Sequence, residues 1–186
     1  STSPVFRHEG LSALDLAVAA RLDAGPGGGL PHSGREMEPA YVRPAQAEEK
    51  VRHKVMGLTP PTIRVLHPQD LPAVDEMEHR LFSDPWPQHF FLDALVEPAA
   101  VMRVAERNGA VAGYLVATLQ PPYAELQNLA TSPEQQRGGI ARALMLDLFD
   151  ICRARDVRDI GLEVRVSNSA AQSLYRGLGF RLMGLR

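Results

Sequence analysis

Three features of this 186-residue sequence combine residue types and spacing that could do chemistry. The first is the run Gln136-Arg137-Gly138-Gly139-Ile140-Ala141, set between a strand-like segment and a long helical one. Glycines let a backbone turn tightly and approach a ligand closely. The first amides of a helix have no internal partners and sit at the positive end of its dipole. Together these groups could cradle a pyrophosphate, with Arg137 and Arg142 adding charge. An ordinary flexible loop before a helix is the bland alternative. No Gly-Lys-Ser/Thr follows, so the run is not a Walker A loop, and the glycine spacing is wrong for the dinucleotide fingerprint. The second feature is Glu163. Strict alternation in Leu162-Glu163-Val164-Arg165-Val166 puts it on one strand face with Arg165. A carboxylate on a sheet covered by helices suggests a wet cleft, and a salt-bridged surface pair is the equal alternative. The third is Tyr175, one helical turn after Ala171, which unaided reads as a core-edge tyrosine.

The elements that must position these residues follow from periodicity. A strand is expected over 62–66, with Asp70 as a cap for a helix over 71–82. Asp84-Pro85-Trp86-Pro87 is a rigid loop before a short helix over 88–96. Strands follow over 101–107, 112–119 and 124–130, and Asn108-Gly109 is a hairpin signal between the first two. The long helix spans 140–155, with Ile140, Leu144, Leu148 and Ile151 on one face. A strand over 160–166, a helix over 169–178 and a strand starting at Phe180 complete the pattern. A hairpin-rich half followed by β-α-β-α-β means an α/β (α+β) fold, a mixed central sheet with helices on both faces.

Residues 62–186 therefore form the main domain. Residues 1–57 read as an N-terminal extension or linker. It holds a short helix over 11–22, the run Gly25-Pro26-Gly27-Gly28-Gly29, an extended piece over 38–43 and a charged, solvated helix over 45–56. Gly57, Pro60 and Pro61 mark the boundary. The chain starts without an initiator Met, which suggests a processed or excised piece of something longer.

The bulk numbers exclude several classes. A net charge of −2 gives no drive toward nucleic acid or anionic membrane, and no basic stripe interleaved with aromatics appears. No apolar run reaches the roughly 18 residues of a membrane span, and there is no signal peptide. The lone Cys152 fits a reducing cytoplasm and reads as a buried structural thiol. The six histidines show no metal-ligand spacing, so no metal is expected. Nothing resembles a Ser-His-Asp set.

Gln136, Gly139 and Ala141 match the acyl-CoA signature of the GNAT superfamily: Gln or Arg, two residues, Gly, one residue, then Gly or Ala. Leu126-Gln127-Asn128-Leu129-Ala130-Thr131-Ser132-Pro133 looks like that family's splayed fourth strand. The stretch Leu162-Glu163-Val164-Arg165-Val166-Ser167-Asn168-Ser169-Ala170-Ala171, ending Leu174-Tyr175-Arg176-Gly177-Leu178-Gly179-Phe180, closely resembles the RimI-type ribosomal-protein alanine N-acetyltransferases. The resemblance covers about 63–186. It implies a GNAT fold and acetyl-CoA as co-substrate. The implied cofactor contacts are the backbone of Leu129, Ala130 and Thr131 beside the pantetheine arm, the segment Arg137, Gly138, Gly139, Ile140, Ala141 and Arg142 at the diphosphate, and Asn168, itself a natural helix N-cap.

Acetyl transfer to an amine needs a base for the ammonium, stabilisation of the thioester oxygen and a proton for the departing thiolate. An α-amine titrates at about 7.7 to 8.0, so a weak base acting through water suffices. The resemblance assigns Glu163 as base and Tyr175 as acid. Tyrosine's ordinary value near 10 keeps it protonated. The bulk of Trp86 suits a wall of the peptide groove, though a lone Trp is more often core. The implied activity is cytoplasmic N-terminal acetylation of a ribosomal protein, with alanine as the expected first residue. Two rivals stand beside it: a small-molecule amine acetyltransferase, and a non-catalytic module binding CoA or a partner.

Two departures complicate the match. The family usually continues past the position of Arg186 with a closing strand, which implies a sheet lacking its last strand. Secondly, Glu38-Pro39-Ala40-Tyr41-Val42-Arg43-Pro44-Ala45-Gln46-Ala47 is similar to the C-terminal tail of TsaB-type proteins, partners of the TsaD enzyme. That likeness implies a remnant of a TsaB-like domain and a TsaD-like partner. A low-complexity extension without function is the alternative.

Overall fold

The computed structural model describes residues 4–9 and 59–185, with side chains over 59–183. A seven-stranded sheet runs in the order β2-β3-β4-β5-β6-β1-β7. The strands are β1 (Pro4–Glu9), β2 (Thr62–Val65), β3 (Ala100–Arg107), β4 (Ala110–Gln120), β5 (Tyr123–Thr131), β6 (Asp159–Glu163) and β7 (Arg181–Leu185). The α-helices among the described residues are α1 (Leu71–Leu81), α2 (Gln88–Val96), α3 (Ile140–Ala154) and α4 (Ser169–Gly177). Strands β2 to β5 form an antiparallel meander, and β6 joins β5 in parallel through α3. Asn108 and Gly109 both take positive φ, 54° and 77°, as a two-residue hairpin turn requires.

Two apolar layers sandwich the sheet. In β4, Leu115, Ala117 and Leu119 enter the layer built on α3 and α4. The intervening Tyr114 and Val116 enter the layer built on α1 and α2. This period-2 division puts helices on both faces, as the pattern predicts. Strand β5 breaks the parity. Ala124 and Leu126 face the α3 layer, yet Ala130 faces the α1 layer. Pairing with β4 shifts register there: Ala117 opposes Leu126 and Val116 opposes Asn128, leaving Gln127 extra. One extra residue in a strand swaps the faces of everything after it.

Two elements differ from the periodicity reading. Strand β6 stops at Glu163 rather than Val166. The carbonyl of Arg165 accepts from the Asn168 N–H at 2.9 Å and from the Gln172 side chain, which also reaches the Val166 carbonyl at 2.8 Å. A turn, and not a ladder, satisfies that backbone. The second difference is β1. Residues 1–57 read as an extension apart from the domain, but Pro4–Glu9 lies inside the sheet between β6 and β7. The strand expected from Phe180 is β7, and β1 lies between it and β6. The expected helices over 11–22 and 45–56 and the TsaB-like segment over 38–47 lie outside the described residues.

Candidate active site

Strands β5 and β6 pair only over residues 123–126 and 159–162. Beyond that point β5 continues to Thr131 against β4 alone, and β6 ends at Glu163. A gap opens between the two strands. Its wall on one side is residues 127–131, whose backbone edge toward β6 is not paired with any described strand. Glu163 stands at the mouth of the gap and is exposed. Arg165 falls beyond the strand, so the shared face expected from alternation does not form. Arg165 donates instead to Ser83 Oγ at 2.9 Å, tying the loop after β6 to the loop before α2.

The far end of β5 runs into the loop before α3. Arg137 takes φ 61°, in the left-handed region that a side chain occupies at a cost of roughly 1 kcal/mol. Gly139 caps the helix at φ 81°, where glycine is the tolerant residue. The first bond within α3 runs from the Ala143 N–H to the Gly139 carbonyl at 2.9 Å. The amides of Ile140, Ala141 and Arg142 precede it and remain outside the helical ladder. Gly138 departs from expectation. Its amide donates to the Gln135 carbonyl at 3.2 Å, so it shapes the turn rather than facing a ligand. Its carbonyl accepts from Arg107 Nη2 at 2.9 Å, and Arg107 Nη1 holds the Gln135 side chain at 3.0 Å. Arg107 is buried, so its charge lies beneath the turn. Two buried polar atoms border this end without a hydrogen-bond partner among the described residues: Arg107 Nε and Thr131 Oγ1. Buried polar groups are ordinarily satisfied, and such orphans suit a site that a polar ligand completes. A cradle for the diphosphate of an acyl-CoA fits these residues.

Gly113 makes that junction possible. A Cβ on it would lie 2.6 Å from the Ala130 carbonyl oxygen and 2.7 Å from Ile140 Cγ2. Only a glycine lets β4 pass beneath both the end of β5 and the first residue of α3.

Tyr175 lies on α4, buried among the α3-side core and stacked obliquely on Phe180 with ring centroids 5.6 Å apart. Burial pushes its hydroxyl well above the ordinary phenol value, so it holds its proton throughout the neutral range. Asn168 caps α4, its Oδ1 accepting from the Ala171 N–H at 3.0 Å. Trp86 is half-buried, edge-on to Phe90 at 5.9 Å and tilted against Phe91 at 5.6 Å. It thus belongs to the α1-side core while reaching the surface.

Sequence reasoning missed a buried polar hub. Glu78 on α1 is fully buried and accepts from the Tyr114 hydroxyl, from Asn128 Nδ2 at 3.0 Å and from the Trp86 N–H at 2.6 Å. One carboxylate thereby joins α1, β4, the bulged segment of β5 and the loop before α2. Burial, and then the Glu78 carboxylate, push the Tyr114 hydroxyl upward, so it stays a donor. A signal was present: Leu71, Val74 and Glu78 share one helical face, placing a carboxylate in an apolar stripe. Arg107 gave no comparable signal, because a charged residue ending a strand is common.

Cys152 is buried in the α3-side core, and burial pushes its thiol up to about 11, the inert end of cysteine chemistry. Among the described residues no group of three or more His, Cys, Asp or Glu is placed to hold a metal ion. No described helix is long and apolar enough to cross a membrane.

A mixed sheet whose parallel pair parts beside the start of α3 sets a gap next to the free first amides of a helix. Residues 71–180 match the acetyltransferase (GNAT) family, and the chain belongs to that family. Its relatives include the ribosomal protein bS18-alanine N-acetyltransferase of Escherichia coli strain K12, 36% identical over 125 residues, covering 67% of this chain and 84% of the relative. The N-alpha-acetyltransferase RimI of Mycobacterium tuberculosis is 37% identical over 133 residues, covering 68% and 82%. The crystal structure of the ribosomal-protein-S18-alanine N-acetyltransferase from Escherichia coli superposes with a TM-score of 0.60 at 35% identity, covering 64% of this chain and 76% of that one.

Proposed function

We propose that this acetyltransferase moves an acetyl group from acetyl-CoA to the α-amine of a protein N-terminus, with a ribosomal protein beginning in alanine as its substrate in the cytoplasm. The observation that carries the reading is the gap between β5 and β6, with the glycine-capped start of α3 at one end and Glu163 at the other. Acetyl-CoA, when bound, supplies the thioester acyl group. The amides of Ile140, Ala141 and Arg142 hold its diphosphate, with Arg137 and the buried Arg107 adding positive charge. The unpaired edge formed by Leu129, Ala130 and Thr131 receives the pantetheine arm as an added strand would be received. Asn168 keeps its cap on α4 and offers its Nδ2 to the same ligand.

Glu163 accepts the proton of the substrate ammonium through water. Its exposed position suits this role, since the incoming group arrives from solvent. Tyr175, kept protonated at neutral pH by its burial, is assigned as the donor to the departing thiolate; the same burial makes it a weaker acid, so the proton moves only to a thiolate desolvated beside it. No side chain is assigned a covalent role; the amine attacks directly. The relatives' names, a ribosomal protein bS18-alanine N-acetyltransferase and an N-alpha-acetyltransferase, support a peptide over a small amine.

The test is Glu163→Gln, assayed with a peptide panel of varied first residue and with small amines. Turnover on the Ala-starting peptide is expected to fall roughly 10²- to 10⁴-fold at neutral pH, with CoA affinity retained. Wild-type turnover in the variant refutes the base. A preference for small amines over every peptide refutes the substrate class.

A further inference from the structure

Strand β1 lies outside residues 71–180, the segment that matches the family. It nevertheless runs antiparallel to β6, on the side away from β5. Val5 stands opposite Glu163, Phe6 opposite Leu162 and Glu9 opposite Asp159. On its other side β1 pairs with β7, where a register shift falls between Val5 and Phe6. Among the described strands, β6 and β7 are therefore joined through β1.

The pairing of β6 with β5 ends one residue before Glu163, because the gap opens there. The cross-strand neighbour of Glu163 among the described strands is thus Val5. A strand end with a gap on one side frays unless the other side is laddered. The direction of a side chain at such an end follows the twist of its backbone, which the neighbouring strand sets. We propose that β1 is a positioning element for the acetyl-transfer base: its backbone ladder holds the end of β6 so that Glu163 points into the gap. This rests on the reading of Glu163 as the base. It also gives residues 4–9 a part in catalysis although they contribute nothing to the family match.

The experiment uses the full chain with Val5→Pro and Phe6→Pro made separately. Proline removes one ladder N–H, and successive N–H groups of a strand between two neighbours point to opposite sides. One of the two variants therefore takes a donor from the β1–β6 ladder. That variant is expected to lose roughly 10- to 100-fold in kcat, the scale of a misplaced catalytic group, with CoA affinity unchanged. Val5→Ile, which keeps the N–H, is expected to retain kcat. In a Glu163→Gln background the same proline is expected to change kcat by less than about 2-fold, because sites acting through one group do not add. Wild-type kcat in both proline variants, or an undiminished proline effect in the Gln background, overturns the proposal while leaving the base in place. Loss of CoA affinity together with kcat overturns it also, since β1 would then stabilise the whole sheet. Wild-type kcat in Glu163→Gln alone removes the base reading, a distinct result.

Discussion

Gly113→Ala offers the sharpest test of how the fold builds the cradle. The new methyl would meet the Ala130 carbonyl oxygen at 2.6 Å and Ile140 Cγ2 at 2.7 Å. Ordinary contact begins near 3.4 Å, so the neighbours must yield by about 0.7 to 0.8 Å. Neither yields easily. Ala130 is held by backbone pairing to Tyr114, and Ile140 is 1% exposed at the start of a fifteen-residue helix. Overpacking of this kind costs roughly 1–3 kcal/mol. For a chain of this size that lowers Tm by roughly 3–10 °C. In the function proposed above, the displaced atoms belong to the edge that receives the pantetheine arm and to the start of the diphosphate site, so CoA affinity is expected to weaken about 10-fold, or about 1.4 kcal/mol. Thermal unfolding and calorimetric titration with CoA read the two effects. An alanine variant with wild-type Tm and wild-type CoA affinity would refute the reasoning, because the junction would then have slack.

Arg107→Met keeps much of the buried bulk but removes the donors to Gly138 and Gln135. It is expected to raise the KM for acetyl-CoA roughly 10-fold while leaving the KM for peptide within about 2-fold, which steady-state kinetics with each substrate varied would reveal. Asp70→Asn probes the other end of the meander. Asp70 is buried and takes two bonds from the Arg64 guanidinium at 2.7 and 2.8 Å and one from the His67 N–H at 2.8 Å. Arg64 holds its carboxyl below the usual carboxylate range. The stabilisation is therefore present above that range and lost as pH falls through the lowered value. Denaturant unfolding is expected to show a loss of about 1–2 kcal/mol at pH 7 that shrinks on acidification below about pH 4.

Much of the architecture was legible in periodicity. The helix over 71–82, the short helix over 88–96, the three-strand meander and the long helix all fall within a residue or two of their observed bounds. These elements carry strong local signals, namely alternation, a 3.6-residue stripe and Asn108-Gly109. The turn before the long helix was legible for a related reason: it lies in consecutive residues, and the positive φ of Gly139 is a local matter. What lies beneath the turn was not legible, because the Gly138 carbonyl is held by Arg107, 31 residues away.

What the sequence could not disclose is what arises from two distant segments meeting. The bulge at Gln127 has no composition signal, yet it turns Asn128 toward Glu78 across 50 residues. The gap beside Glu163 exists because β5 outruns β6, a comparison of two strands and not a property of either. The seat of β1 beside Glu163 joins positions 5 and 163, which no local window contains. Sequence by itself determined most elements of residues 62–185, the family and the chemistry of the candidate residues, because backbone propensity and side-chain type act over a few positions. Tertiary structure alone decided which edges stay unpaired and which charges are buried, because strand pairing and desolvation depend on what the rest of the chain brings alongside.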